Sequence, residues 1–412
     1  MSIRKNKNIR ASLLVSMILT AMVFASCSEP PRKATGRLDT PEHHTLRGND
    51  FLEKDQVDKA EREFDLALSL NKRHSGAQAG KAVVVAIRST APGLDADTRE
   101  DLTEKAEDFI DMAKVEAEGD VAEREVYISA IRVARLTKHT NEDWLSTARK
   151  AYTRAIKTDE REDDPRPYFY MARVYRDAFE LRKASDLYRR VLGMNKGKTR
   201  EADDELAILQ KVQRASPGSR HGKTIAFVSS ITRADIAALF ISELKLDALY
   251  KRNNNERFDN SFKKPGTKKF QADRLEKAPD VTDIDKHPMR ADIEEVLQLR
   301  VAGLEPDPAH KFHPDAVTTR AEFALMVEDI MVKVTGEEKL KTRFIGQNSP
   351  FADVRNDVPY FNAVQTVVSR NLMTPKNKIR GLFAPMDPVQ GADALLVIRQ
   401  LKNELQSYLR RS

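Results

Sequence analysis

Small and large apolar residues alternate at helical spacing from residue 41 to about residue 215. The first set is Gly48, Phe51, Ala60, Phe64 and Ala67, and the set 124 residues later is Ala172, Tyr175, Ala184, Tyr188 and Val191. Two further sets, typical of a second hairpin helix, are Ala106, Ile110 and Ala113, and Ala148, Tyr152 and Ala155. Antiparallel helices need a small residue where their backbones approach and a large ring beside it. The pattern predicts about four helical hairpins and a polar-faced capping helix at residues 200–214.

These hairpins resemble the tetratricopeptide (TPR) repeat, whose unit is about 34 residues long. The resemblance implies a solenoid in which each repeat buries one face against its neighbours and leaves a concave surface open. It therefore implies a groove that docks a protein or peptide, although no side chains in it identify the partner. The alternative is a rigid spacer that binds nothing, since the named aromatic residues are expected to lie mostly in the core.

The C-terminal half repeats a different pattern. Three segments align with one another, at residues 231–237 (ITRADIA), 318–324 (TTRAEFA) and 389–395 (VQGADAL), and two upstream segments also match, at 281–284 (VTDI) and 351–354 (FADV). The register is consistent, because Asp283 precedes Thr319 by 36 residues and Asp353 precedes Gln390 by 37. The spacing indicates that one structural unit recurs along this half of the chain.

Phe-x-Pro turns at residues 312–314 and 383–385 each begin seven residues before the matching Thr or Gln. Helices are predicted at residues 290–300 and 360–370. This layout, over residues 231–403, resembles the S-layer homology (SLH) domain. The resemblance implies a pseudo-threefold helical bundle whose grooves bind cell-wall glycan, either peptidoglycan or a wall-linked polysaccharide. The predicted fold class is all-α, a TPR-like solenoid followed by an SLH-like bundle.

The candidate glycan-binding residues lie at the starts of the repeated segments. Thr319 and Glu322 have the spacing of a capping box, in which a threonine caps the helix and an acid three residues later bonds back to it. Thr232 and Asp235 form a looser version of the same box. Thr319 and Glu322 are therefore candidate glycan contacts whose alternative role is helix capping.

Arg233 and Arg320 follow the cap positions, where the cap itself does not need an arginine. A guanidinium beside the free N–H groups of a helix start is an anion site, and carboxylate or ketal-pyruvate groups on wall sugars are suitable anions. The alternative for both arginines is a solvated surface position. Asp283 and Asp353 are expected either to cap the first helix of their repeat or to accept hydrogen bonds from sugar hydroxyls.

Parts of the C-terminal half depart from the repeat. Gln390 and Gly391 stand where Thr and Arg are expected, so the third groove is predicted to lack its anion contact. The first copy has no clear start, because residues 217–230 match poorly. Residues 251–280 are interpreted as an inserted loop, either solvated or facing a phosphate-rich polymer or a membrane surface.

The N-terminus is typical of an export signal, with a basic stretch at residues 1–10 and an uncharged, mostly apolar run at 11–26. The run ends in small residues before Cys27, which resembles the lipobox of bacterial lipoproteins, with Phe24 in place of the usual Leu. The resemblance implies signal cleavage and lipidation at Cys27, which would anchor the chain to a membrane. The alternatives are an uncleaved anchor or a secreted protein with a free thiol. Residues 27–40 are polar and predict a tether.

Composition narrows the function mainly by exclusion. The formal charge of the 412 residues is +7, but four of the basic residues precede Cys27, and the rest of the chain carries +3. Nucleic-acid binding is therefore not predicted. A single cysteine excludes an intrachain disulfide and a cysteine-based zinc cluster. The sequence lacks the nucleophile-elbow, HExxH, P-loop and dinucleotide motifs, so no catalytic residue, metal or cofactor is predicted.

These observations predict a non-catalytic envelope lipoprotein, in the outer membrane if the cell has two membranes. It would bind wall glycan through the SLH-like repeats and recruit a protein through the TPR-like repeats. The alternative is a TPR scaffold of an envelope secretion or assembly complex with a degenerate SLH-like spacer. The predicted parts are a signal at 1–26, a tether at 27–40, TPR-like repeats at 41–215, SLH-like repeats at 216–403 and a tail at 404–412.

Overall fold

A computed structural model describes residues 31–159, 163–252 and 278–411. These residues form helices joined by turns, with three isolated β-bridges as the only β-type pairings among them. The predicted all-α class is confirmed. The export signal, Cys27 and most of the proposed inserted loop lie outside the described residues. Within the described ranges, no helix combines the length and the apolar composition needed to cross a membrane.

The chain divides into two compact units, one ending at Asp177 and the other beginning at Ala178. The described helices of the first unit are α1 Pro41–Glu53, α2 Val57–Leu70, α3 Ser75–Ser89, α4 Ala96–Glu116, α5 Asp120–Leu136, α6 Trp144–Lys157 and α7 Arg166–Asp177. Consecutive helices pair as α1 with α2, α3 with α4, and α5 with α6. Helices α1, α3, α5 and α7 also contact one another in series, which is typical of a helical-repeat solenoid.

The alternation of small and large residues has a direct structural cause. Phe64 of α2 is fully buried, and its ring lies against Gly48 of α1 and Gly80 of α3. A Cβ added at Gly48 would lie 2.5 Å from ring atom Cε1, and one added at Gly80 would lie 2.2 Å from it. The ring therefore fills a space that only a glycine backbone leaves open, and it joins the first two hairpins. Gly80 is a repeat position that the sequence pattern missed.

Residues 32–39, expected to belong to a tether, are instead bound to the first hairpin. The N–H of Arg32 donates to Ser69 O at 2.8 Å, and its guanidinium donates to both carboxylate oxygens of Asp39 at 2.8 and 2.5 Å. Asp39 also lies 3.0 Å from Nε2 of the buried His44 in α1. The tether prediction is therefore wrong from Arg32 onward, because its polar residues pair with one another and with the hairpin.

The described helices of the second unit are α8 Leu181–Met194, α9 Thr199–Ala215, α10 Arg220–Ile225, α11 Arg233–Leu239, α12 Leu246–Arg252, α13 Arg290–Leu299, α14 Arg320–Thr335, α15 Phe361–Ser369 and α16 Gly391–Arg411. A π-helical turn, Phe240–Leu244, continues α11, and a 3-10 turn, Glu338–Thr342, follows α14. Helix α9 confirms the capping helix predicted at residues 200–214, and α13 and α15 confirm the helices predicted at 290–300 and 360–370. Helix α16 continues to Arg411, so residues 404–411 of the predicted tail are helical, and Leu405 is buried in the core.

The division after Asp177 places the second helix of the last predicted hairpin, α8, in the second unit. Helix α9 also belongs to this unit, where it packs against α8 and α16. The compact second unit therefore begins earlier than the SLH-like region predicted from residue 216. The reason is that the side chains of α9 contribute Val212 and Ala215 to the same apolar core as α11, α14 and α16.

The three repeated segments meet in one ring of backbone hydrogen bonds. The N–H of Ile231 donates to Val389 O, that of Val389 to Thr318 O, and that of Thr318 to Ile231 O, each at 3.0 Å. The three residues are equivalent in the sequence alignment, and each both donates and accepts. The ring therefore relates the segments by an approximate threefold arrangement. Two residues beyond the ring, each segment begins a helix, α11, α14 or α16.

Candidate functional site

The starts of α11 and α14 are closed by capping boxes. Thr319 Oγ1 accepts the N–H of Glu322 at 3.3 Å, and the carboxylate of Glu322 accepts the N–H of Thr319 at 2.8 Å. Thr232 and Asp235 form the same reciprocal pair, at 3.2 and 2.9 Å. The looser sequence match is thus also a complete capping box. A cap of this kind contributes about 1 kcal/mol to helix stability.

The other N–H groups at these helix starts are also occupied. The N–H of Arg320 donates to Asp387 O and that of Ala321 to Pro385 O, both at 2.9 Å. The two equivalent N–H groups of α11 donate to carbonyls within residues 314–316, at 2.9 and 3.0 Å. A helix start binds an anion through N–H groups that lack an acceptor. The predicted anion site on these N–H groups is therefore wrong, because carbonyls of the next copy occupy them.

Arg233 binds backbone carbonyls of the neighbouring copy. Its Nε donates to Phe312 O at 2.8 Å, Nη1 to Gly303 O at 2.6 Å and Nη2 to Glu305 O at 3.0 Å. The guanidinium carbon lies 4.8 Å from the centroid of the Phe312 ring. Burial lowers the pKa of Arg233, and the three carbonyls offset the cost of desolvating its charge. Arg233 is therefore not the solvated surface residue of the alternative interpretation.

Arg320 repeats the arrangement one copy later. Its Nε donates to Phe383 O at 3.0 Å, and Nη2 donates to Thr374 O at 2.7 Å. The guanidinium carbon lies 4.6 Å from the centroid of the Phe383 ring. Burial again lowers the pKa of the guanidinium. Arg320 uses two of its five N–H donors within the described part of the chain, whereas Arg233 uses three.

Asp283 and Asp353 bind the same two loops from the opposite side. Asp283 accepts the N–H groups of Phe312 and His313 at 2.8 and 2.7 Å. Asp353 accepts the equivalent N–H groups of residues 383–384 at 2.9 and 2.7 Å. Burial raises the pKa of Asp283, but the two N–H donors lower it, and the pKa lies below its usual value. The expectation that the aspartates cap the first helix of each repeat is wrong, because their carboxylates lie at the Phe-x-Pro loops.

Each Phe-x-Pro loop is therefore held from two sides. An aspartate binds its N–H groups, while an arginine from another copy binds its carbonyl and covers its ring. We call these arrangements the two clamps; one consists of Asp283, Phe312 and Arg233, and the other of Asp353, Phe383 and Arg320. The first clamp brings together segments that are about 30 and about 80 residues apart, which explains why the sequence did not reveal it.

Carboxylates act electrostatically on the guanidinium in both clamps, although none of them forms an ion pair with it in the described residues. Those that act on Arg233 are Glu322, Glu305 and Asp283, and those that act on Arg320 are Asp393, Asp387 and Asp353. These charges lower the attraction of the guanidinium for a further anion. Neutral hydroxyls are better suited, because a hydroxyl can accept from an arginine N–H and donate to a carboxylate. The local charge therefore favours a neutral polyhydroxyl ligand over the acidic sugar expected from the sequence.

The third equivalent position is filled by the chain itself. Gly391 stands where the clamps have arginine, and its N–H donates to Val228 O at 2.8 Å. A Cβ added at Gly391 would lie 1.9 Å from the carbonyl oxygen of Ile225. No arginine side chain fits there, because the backbone at the end of α10 occupies the space. This packing is the structural counterpart of the missing third arginine in the sequence.

A second candidate site lies in the first unit. A groove of about 370 Å³ runs between α4 and α6, with α5 as its floor and Tyr127 half-buried within it. Lys150 and Arg154, one turn apart on the α6 wall, are exposed and have no ion pair within the described ranges. On the α4 wall, Glu107 and Asp111 are each bonded to a neighbouring side chain, at 2.8 and 2.9 Å. The sequence alone does not mark these cations, because two basic residues one turn apart are typical of an ordinary solvated helix face.

Comparison with known proteins gives no family for this chain. No protein-family model matches it, and no curated protein resembles it at a significant level. In the described part of the chain, no cluster of three or more His, Cys, Asp or Glu side chains is placed to hold a metal ion. Function must therefore be inferred from the residues of the clamps and of the groove.

Proposed function

We propose that the protein is a non-catalytic lipoprotein of the cell envelope that binds cell-wall glycan through the two clamps. The lipobox-like sequence at Cys27 supports the membrane anchor, and the SLH-like segments support the glycan. The observation that carries the proposal is the repetition of one clamp at two equivalent places. Wall glycan is itself a repeating polymer, and two equivalent sites on one rigid unit allow it to be bound at two points with increased avidity.

In the proposed mode, the clamps hold the loops rigid, and their unused polar groups contact sugar hydroxyls. Arg320 contributes the N–H donors that lack an acceptor in the described residues, chiefly those of Nη1. Glu322 uses only Oε2 in its capping box, which leaves Oε1 to accept from a sugar hydroxyl, and its charge acts on Arg233 of the first clamp. Hydroxyl contacts are screened little by salt, so binding should persist at an ionic strength that weakens exposed charge pairs.

Cosedimentation with purified cell-wall sacculi tests this proposal. The Cys27→Ser chain is used, so that membrane insertion does not contribute to the result. We expect retention that survives 0.5 M NaCl and is competed by soluble wall-glycan fragments. Glu322→Gln should reduce retention, because it removes a carboxylate charge that acts on Arg233 of the first clamp while keeping the side-chain shape.

Glu338→Gln is the matched control, because Glu338 lies on the exposed 3-10 turn after α14 and outside both clamps. It should leave retention unchanged, and circular dichroism should show both variants folded. Absence of retention, or equal retention of both variants, would refute glycan binding at the clamps.

The groove of the first unit favours a second role, the recruitment of a protein. Because Lys150 and Arg154 have no ion pair in the described residues, we propose that the groove receives an acidic segment of a partner. A photocrosslinker at Thr147, which lines the groove, should capture this partner in cells. The double variant Lys150→Glu, Arg154→Glu should abolish the adduct; an unchanged adduct, or one that maps to a basic segment, would contradict the proposal.

A further inference from the structure

The folded part of the first unit begins very close to the proposed lipidation site. Arg32 is fixed to the end of α2 by its N–H, 2.8 Å from Ser69 O, and by Nε, 3.2 Å from Ser69 Oγ. Only residues 28–30 separate Cys27 from Pro31. Because an extended chain spans at most about 3.6 Å per residue, Cys27 lies no more than about 14 Å from Pro31. A lipid on Cys27 would thus bring this edge of the first hairpin to the headgroup region of the bilayer.

The same edge carries cations without partners. Lys33, Arg37 and Lys72 are exposed, and within the described part of the chain their side chains form no ion pair or hydrogen bond. Lys72 follows α2, just beyond the residue that holds Arg32. The acid of the segment, Asp39, is already paired with Arg32 at 2.5 Å. The edge therefore presents positive charges that are not paired with acids in the described part of the chain.

Exposed apolar side chains follow these cations along the chain. Leu38, directly after Arg37, is 69% exposed, and Leu46, farther along on α1, is 70% exposed. At a membrane interface, apolar side chains enter the boundary between headgroups and acyl chains, while neighbouring lysines and arginines meet the phosphates. Glu42, an exposed acid on α1, opposes this attraction, so the net electrostatic contribution is that of about two cations.

We propose that this edge, which we call the docking edge and define by Lys33, Arg37, Leu38 and Lys72, binds the surface of an anionic bilayer. The inference rests on the proposed lipidation of Cys27 and adds an orientation: the first hairpin lies on the membrane and does not hang from a long tether. Each basic residue near an anionic surface raises the ratio of docked to undocked protein by roughly fivefold. Loss of all three cations should therefore lower the ratio of docked to undocked protein by about 100-fold.

The test uses the full lipidated chain in vesicles of phosphatidylethanolamine and phosphatidylglycerol, 3:1. A nitroxide is attached at Leu38→Cys, since the single native thiol, Cys27, is consumed by the lipid. A reference nitroxide at Ser146→Cys reports an exposed residue of α6, in the third hairpin. We expect the Leu38 label to be shielded from a water-soluble nickel chelate and accessible to oxygen, whereas the Ser146 label remains accessible to the chelate.

Two comparisons make the result specific. Replacing phosphatidylglycerol by phosphatidylcholine, or replacing the three docking-edge cations by alanine, should expose the Leu38 label to the chelate. The control variant removes the same residue types elsewhere on the first unit, Arg62, Lys105 and Lys157, which are exposed and lie outside the groove, and should leave the label shielded. A Leu38 label as accessible as the Ser146 label in anionic vesicles would overturn the docking edge.

The outcome also separates this inference from the lipid anchor. If Cys27→Ser protein leaves the membrane fraction but the Leu38 label of the lipidated chain is accessible to the chelate, the anchor stands and the docking edge is refuted. If Cys27→Ser protein remains in the membrane fraction like the native chain, the anchor itself is refuted, and the inference that rests on it is refuted too.

Discussion

The second clamp provides the sharpest test of how the C-terminal copies are held together. Arg320→Ala removes the hydrogen bonds to Phe383 O at 3.0 Å and to Thr374 O at 2.7 Å, together with the contact between the guanidinium and the Phe383 ring. The loop of residues 374–384 would then be held by Asp353, by the N–H of Ala352, which donates to Gly381 O, and by the buried ring of Phe383. We expect this loop to open locally while the rest of the unit stays folded.

The magnitude follows from the interactions that the substitution removes. A hydrogen bond from a charged donor contributes about 1.5–3 kcal/mol, and a partly exposed cation–ring contact about 0.5–1 kcal/mol. Because Arg320 is only half-buried, water replaces part of this stabilisation, and the lower values apply. The sum is about 3.5 kcal/mol, which corresponds to about a 300-fold increase in local opening.

Hydrogen exchange of the amides of Phe383 and Ala384, which donate to Asp353, reports this opening directly. Arg343→Ala is the matched control: its guanidinium lies 5.6 Å from the centroid of the Phe344 ring but makes no side-chain hydrogen bond within the described ranges. The control should change exchange of the loop by less than twofold. Arg320→Lys should restore at most part of the protection, because an ammonium cannot make the two bonds of the planar fork. Unchanged exchange in Arg320→Ala would refute the clamp.

Three further predictions concern packing and buried charge. Gly391→Ala should destabilise the second unit by about 3 kcal/mol or prevent its folding, because the new Cβ would lie 1.9 Å from Ile225 O. The control, Gly193→Ala, places its Cβ where nothing lies within 4 Å and should stabilise α8 by up to about 1 kcal/mol. Urea unfolding measures both changes. Burial raises the pKa of Asp177, but three neighbouring cations lower it more, to about 2, so its stabilisation is present above pH 4 and lost as the pH falls toward 2. Asp177→Asn should therefore cost about 2 kcal/mol at pH 7 and little at pH 2, and equal costs at both would contradict the ion pairing. Burial raises the pKa of Glu328, so the fold favours its protonated form and loses stability as the pH rises from about 4.5 through the higher pKa of the folded state. Glu328→Gln should make the melting temperature fall less steeply over this pH range. An unchanged slope would exclude Glu328 as the source of the decline.

The sequence predicted those features that depend on neighbouring residues. The capping boxes follow from residues three apart, and the helices from local periodicity. The packing of Phe64 follows from a glycine 16 residues earlier in the chain, but the second glycine, Gly80, belongs to the next hairpin and was missed. The alignment of three segments indicated three equivalent positions, and the ring through Ile231, Thr318 and Val389 agrees with it.

The features that the sequence did not predict depend on residues brought together by the fold. Arg233 binds backbone carbonyls that lie about 70 to 80 residues away in the chain, so it faces the protein and not solvent or a ligand. Because every residue has a backbone carbonyl, no sequence pattern marks these acceptors. The composition of residues 27–40 is that of a tether, yet the bond from Arg32 to Ser69 removes most of its length. The missing arginine at Gly391 was visible, but not that the Ile225 carbonyl fills its place.

The number of glycan fragments bound per chain tests the central claim most directly. Native mass spectrometry of the Cys27→Ser chain with soluble peptidoglycan fragments should show binding that saturates at two, one for each clamp, because the backbone at Ile225 closes the third position. Glu322→Gln should weaken one of the two binding events and leave the other. No bound fragment, or three equivalent binding events, would contradict recognition of glycan by the two clamps.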